Sequence, residues 1–84
     1  MAAHYALTLE WLAANIQRGS ATFAGVGLVN VTFGTPFSMV PKIVVTPGVY
    51  TTKTYAAINK TTTGFTITFN GSFTGSVDWI AMVP

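Results

Sequence analysis

The alternation of apolar and polar positions along this chain changes period once, near residue 18. Over residues 5–17, YALTLEWLAANIQ, Tyr5, Leu9, Leu12 and Ile16 recur at the 4-3-4 spacing of one helical face. Thr8 is placed to cap and Gly19 to terminate, so the pattern predicts a short N-terminal helix. Tyr5, Leu7, Leu9 and Trp11 also alternate as in a strand. The lack of glycine and proline and the single threonine favour the helix.

From Ser20 the chain turns to threonine, valine, phenylalanine and glycine, in short alternating runs between turn residues. These runs predict six strands: 20–23, 28–33, 42–46, 53–58, 64–70 and 75–82. With no helical segment between them, they suggest a six-stranded antiparallel β-sandwich or barrel. Pro41 and Pro47 bound the third run, Gly25 and Gly27 suit positive φ, and Asn70-Gly71 suits a turn. The expected organisation is an attachment segment at 1–18 and a β-sandwich at 19–84, joined at Arg18-Gly19.

Side chains alternate across a strand, which assigns faces. Phe65, Ile67 and Phe69 oppose Thr66, Thr68 and Asn70, while Val29, Val31 and Phe33 oppose Leu28, Asn30 and Thr32. Two runs are apolar on both faces: Ile43-Val44-Val45, and the last, where Val77, Trp79 and Ala81 oppose Ile80 and Met82. One face meets the other layer, and only another subunit is left to cover the second. The subunit interface is therefore expected at Val44, Asp78, Ile80 and Met82. A carboxylate on such a face needs a partner, and an ion pair of Asp78 with Arg18 or a lysine is expected.

Composition strengthens the oligomer reading. Only 7% of the residues are charged and half are apolar, against roughly 25% charged in an ordinary soluble domain. At 84 residues without cysteine, the chain is near the size where a single core needs help, and disulfides are not available to it. The net charge of +2 rests on Arg18, Lys42, Lys53 and Lys60 outweighing Glu10 and Asp78. Four scattered cations make no phosphate-tracking surface, so no nucleic-acid partner is expected. The chain has no run approaching the roughly 20 apolar residues of a membrane span. Its start, Met1-Ala-Ala-His-Tyr, lacks the basic and apolar regions of a signal peptide.

Catalytic chemistry is thin. One histidine, His4, and two carboxylates, Glu10 and Asp78, are spread along the chain, and none of the four serines has a histidine nearby in sequence. Acid-base and nucleophilic catalysis need such groups held together. Zinc and calcium sites need several cysteines, histidines or oxygen ligands. No enzyme activity, metal or cofactor is expected.

The order of motifs is Gly19-Ser-Ala-Thr-Phe, Val31-Thr-Phe-Gly-Thr-Pro-Phe, Pro41-Lys-Ile-Val-Val, Thr63-Gly-Phe-Thr-Ile and Val77-Asp-Trp-Ile-Ala. Over residues 18–83 this resembles the H-type lectin domain. The resemblance implies a six-stranded antiparallel sandwich that forms a homotrimer and binds sugars between subunits. The lectins use an aspartate after the first strand, an arginine before the fourth, and an aromatic or histidine before the last. Here those regions read Ala24-Gly-Val-Gly, Thr51-Thr-Lys-Thr and Gly71-Ser-Phe-Thr-Gly. Lys53 approximates the arginine and Phe73 the stacking platform, and with Tyr50 they form the expected ligand-binding rim.

Similar short domains occur in bacteriophage fibres and other virion proteins. The expected role is that of a trimeric decoration, head-fibre or tail-fibre subunit located in the virion. It docks to other virion proteins through Tyr5, Leu9, Leu12 and Ile16, and touches host-surface glycans weakly. The alternative is a free carbohydrate-binding lectin in the cytoplasm.

Overall fold

The computed structural model describes residues 15–84. They form four antiparallel strands: β1 (Ile16–Thr32), β2 (Lys42–Pro47), β3 (Tyr55–Ile58) and β4 (Gly64–Met82). β4 lies centrally, with β1 along one edge and both β2 and β3 along the other. β2 pairs with the C-terminal part of β4, from Lys42↔Met82 to Pro47↔Val77. β3 pairs with the N-terminal part, from Tyr55↔Phe69 to Ile58↔Thr66.

The all-β expectation holds, and the strand count changes. The runs at 20–23 and 28–33 are parts of one strand, β1, and those at 64–70 and 75–82 are parts of β4. Asn70-Gly71 is not a hairpin turn but lies within β4, because β1 keeps pairing with β4 on either side of it. The register shifts between Ala24, Val26 and Leu28, where the partners jump from Phe73 to Thr68. Such bulges bend a ribbon and raise its twist. Gly25, at φ 69°, supplies the left-handed residue there, and Gly27 does not have positive φ.

The bend folds the β1–β4 ribbon over on itself. Phe65 and Trp79 are fourteen positions apart on β4, roughly 46 Å along a straight strand at about 3.3 Å per residue. Their ring centroids nevertheless lie 5.4 Å apart. Phe23 meets Phe69 at 5.1 Å and Phe73 at 5.7 Å, edge to face, and Phe69 and Phe73 stack at 4.1 Å. The half carrying β2 and the half carrying β3 thus face each other across an aromatic core.

That core follows the alternation in the sequence. Ala21, Phe23, Val77, Trp79 and Ala81 are buried in the β2 half, and Phe65, Ile67 and Phe69 in the β3 half. Ile43, Val45, Val29, Val31 and Ala57 pack against them. Phe33 and Phe37 close the open end, where Phe33 N–H donates to Thr63 O at 2.9 Å and Phe37 N–H to Thr62 O at 2.8 Å. On the outer side of the β3 half, buried Thr66 donates to Asn30 Oδ1 at 2.7 Å across its own rung.

The expected domain boundary at residue 18 falls inside β1. Ile16, assigned above to the attachment helix, is a strand residue opposite Met82. Gly19 is no linker but the register partner of Trp79, whose indole lies over it. A β-carbon at Gly19 would sit 2.9 Å from Trp79 Cζ2. Tyr5, Leu9 and Leu12 lie outside the described residues. Val83 N–H donates to Asn15 O at 2.9 Å, so the chain enters and leaves the sheet side by side, at the end opposite the bend.

Candidate functional site

Two surfaces bear on function. The first is the bend end, where the loop between β2 and β3 meets the middle of β4. Gly48 N–H donates to Ser76 O at 2.8 Å, and Asn70 N–H to Thr54 O at 3.1 Å, so the loop is anchored at both ends. Between them the Lys53 amide donates to Thr51 Oγ1 at 3.1 Å, a local turn. This presents Tyr50 outward with 91% of its surface exposed. Lys53 Nζ lies 3.6 Å from where a β-carbon at Gly71 would sit.

Phe73, expected beside them as a stacking platform, is elsewhere. It is 6% exposed and sandwiched into the core by Phe69 and Phe23. Its ring has no free face for a ligand. The sequence misplaced it because Gly71 and Gly75 flank it like turn residues, while its phase along β4 points it inward. The bend end therefore combines Tyr50 and Lys53 without the third member of the expected site.

A neighbouring open groove of about 320 Å³ is lined by Thr54, Tyr55, Ala56, Thr68, Phe69 and Asn70. Tyr55 leans over Phe69 at 5.5 Å between centroids and stays partly exposed. The sequence signal for it was the alternation of the β3 run, which puts Tyr55 and Ala57 on one face.

The second surface is the outer face of the β2 half. Register places it in three rungs across β1, β4 and β2: Ile16–Met82–Lys42, Arg18–Ile80–Val44 and Ser20–Asp78–Thr46. All nine residues are exposed in the single chain. Ile16, Val44, Ile80 and Met82 form an apolar cluster, with Val44 half exposed. All four residues expected at a subunit interface, Val44, Asp78, Ile80 and Met82, are brought together here. The sequence missed Ile16, because it was read as helical.

Within the single chain Asp78 forms no ion pair among the described residues. Its Oδ1 accepts a hydrogen bond from Ser20 Oγ, the residue directly opposite on β1. Exposure lets water serve the rest of the carboxylate, so no cation is required within one chain. Beside it an open depression of about 470 Å³ is lined by Arg18, Gly19, Ser20, Asp78, Trp79 and Ile80. Among the described residues no three His, Cys, Asp or Glu side chains are grouped as metal ligands would be.

No protein-family model and no curated protein matches this chain. Solved structures do. The R2 pyocin fibre of P. aeruginosa matches with a TM-score of 0.69 at 19% identity, over 82% of this chain and 20% of that one. The N-truncated R2-type pyocin tail fibre gives TM-score 0.69 and 19% identity, over 82% of this chain and 30% of that one. The tailspike of Pseudomonas phage phi297 matches with TM-score 0.51 at 24% identity, over 82% of this chain and 15% of the tailspike. The chain thus spans less than a third of each of these proteins. At such identities the likeness is one of fold, and that fold is an all-β module also present in pyocin tail fibres and a phage tailspike.

Proposed function

We propose that this chain is a structural module of a phage or phage-tail-like particle, a homotrimeric fibre or decoration part that works by assembling and binding and not by catalysis. The fold shared with two pyocin fibre structures and a tailspike carries the reading. In finer detail, the β2 half and the β3 half are the two three-stranded layers of an H-type lectin-like sandwich. The outer face of the β2 half packs around the trimer axis, and the bend end lies opposite the end where Asn15 meets Val83.

The exposed cluster of Ile16, Val44, Ile80 and Met82 supports the trimer. Apolar area on this scale is favourable to hide, at about 25 cal/mol per Å². Light scattering on the purified protein at micromolar concentration is expected to give three chains, and a monodisperse monomer would refute the assembly. Ile80→Lys or Val44→Lys places an ammonium in the contact. Because both positions are exposed in the single chain, the fold is expected to survive while the concentration needed for assembly rises on the order of a hundredfold, about 2.8 kcal/mol. Mass spectrometry of purified particles tests the location, and absence of the chain from them would contradict the virion role.

Host-surface contact belongs in this reading to Tyr50 and Lys53 at the bend end. An exposed phenol ring complements the C–H face of a sugar, and a lysine donates to hydroxyls. Three equivalent weak sites on one trimer gain avidity where the surface presents repeats. Tyr50→Ala is expected to abolish retention on host polysaccharide without changing the melting temperature. Retention unaffected by that change would place the contact elsewhere.

A further inference from the structure

The charged residues on the outer face of the β2 half are arranged for a specific partner. Asp78 is the only carboxylate side chain between residues 15 and 84. It stands in the middle strand of the face that also carries Ile16, Val44, Ile80 and Met82. A protein so poor in acids has placed its one strand carboxylate where, on the trimer reading, water is excluded. Such a group is retained in a closed contact only with a counter-charge or several donors, since an unpaired carboxylate loses its hydration there without compensation.

The single chain supplies one donor, the Ser20 hydroxyl, on the same rung. Arg18 sits one rung away, opposite Ile80, on the edge strand β1. Among the described residues its guanidinium has no ion pair or hydrogen bond. Cation and anion are therefore displayed on one face without using each other. Lys42, two rungs from Asp78 beside Met82, lies at the far end of the face.

We propose that this face closes on further copies of the same chain, with Arg18 of one copy paired to Asp78 of the next. The inference rests on the trimer reading above and deepens it. A head-to-tail contact that closes as a ring repeats the same pair at every junction. The planar guanidinium matches a carboxylate in a bidentate fork, which a point-charge lysine does not. Aliphatic side chains such as Ile80 and Val44 tolerate sliding past one another, whereas one directional charge pair fixes the register. Ser20 then acts as the positioning residue that holds the Asp78 carboxylate on the face before the copies meet.

The test uses two charge-reversed chains, Arg18→Asp and Asp78→Arg, first alone and then mixed in equal amounts. Each alone is expected to lose the trimer in sedimentation velocity, with a wild-type β-sheet circular dichroism spectrum showing that it is folded. The mixture is expected to recover it, because two of the three junctions in a mixed ring then join opposite charges. Both reversals placed in one chain are also expected to assemble. Rescue in the double variant without rescue in the mixture would mean a pair inside one chain and would overturn the proposal. So would a wild-type trimer that either single reversal leaves intact, while the trimer reading survives. A monomeric wild type removes both together. Lys42→Asp is expected to leave the trimer in place, and its loss there instead of at Arg18 would name the wrong cation.

Discussion

Phe73→Ala is expected to destabilise the folded chain by about 3–5 kcal/mol, the range for removing a buried aromatic ring. The ring stacks on Phe69 at 4.1 Å with 5° between planes, and meets Phe23 edge-on at 5.7 Å. It therefore holds the bend of the ribbon at the point where the two halves begin to face each other. Truncation leaves a void bounded by Phe69 and by Phe23, which is 1% exposed. Neither ring can relax far without disturbing its own neighbours, so the cavity term adds to the transfer term. Tyr50→Ala, at the exposed tip of the same end, is expected to change stability by less than about 0.5 kcal/mol. Urea unfolding of the two variants at equal chain concentration separates these outcomes, the concentration being fixed because assembly shifts apparent stability. Equal stability would put Phe73 back at the loop rim as a binding platform.

The contrast between these two residues shows where the sequence was legible. Period-2 alternation placed Phe65, Ile67, Phe69, Val77, Trp79 and Ala81 on the buried side and Ile80, Met82 and Val44 on the outer side, as the register has them. Burial of one face leaves that phase no freedom, because a slip of one residue would expose the whole set. Pro41 and Pro47 marked β2 closely, since proline sits badly inside a ladder. Phe73 failed for the opposite reason. The segment Asn70-Gly-Ser-Phe-Thr-Gly has turn composition, yet its backbone stays in the ladder, bent by bulges that alternation does not announce. Glycine there reads equally as a turn and as a bend in a continuous strand.

Ile16 failed because its spacing from Tyr5, Leu9 and Leu12 fitted a helical face, and pairing with Met82 decided its own place in β1. That decision is a long-range one, invisible in any local window. The outer-face rungs were half legible for the same reason: each strand's phase was readable, but the neighbours of Ile80 depended on which strands flank β4. Arg18 and Ser20 could not be placed beside Ile80 and Asp78 from the sequence alone. Of what the resemblance to H-type lectins implied, the described residues have the all-β character, while Phe73, the stacking platform it implied, is buried.

Gly64→Ala is expected to cost about 3 kcal/mol or more, the largest effect of any alanine substitution at a glycine in this chain. A β-carbon there would lie within 2.2 Å of the Val31 carbonyl oxygen and 3.3 Å of Thr32 Cα. Both obstacles are backbone, and Thr32 is the register partner of Gly64. Relief would need β1 and β4 to separate where Val31 opposes Phe65, which would disturb the ring cluster of Phe33, Phe65 and Trp79. The Phe33 to Thr63 backbone hydrogen bond at 2.9 Å lies beside it and would be strained as well. Overpacking of this kind typically costs 1–3 kcal/mol where side chains can yield, and more where they cannot. Two other glycines isolate the cause. Gly25 has open space around it but φ of 69°, so Gly25→Ala is expected to cost only about 1–2 kcal/mol, from backbone conformation alone. Gly34 has neither a neighbour within 4 Å nor a positive φ, and Gly34→Ala is expected to be neutral or to stabilise by about 0.4–1 kcal/mol through the unfolded state. Thermal melts of the three variants at one concentration should rank them in that order. A Gly64→Ala protein as stable as Gly34→Ala would show that the two strands do not approach as closely as their register requires.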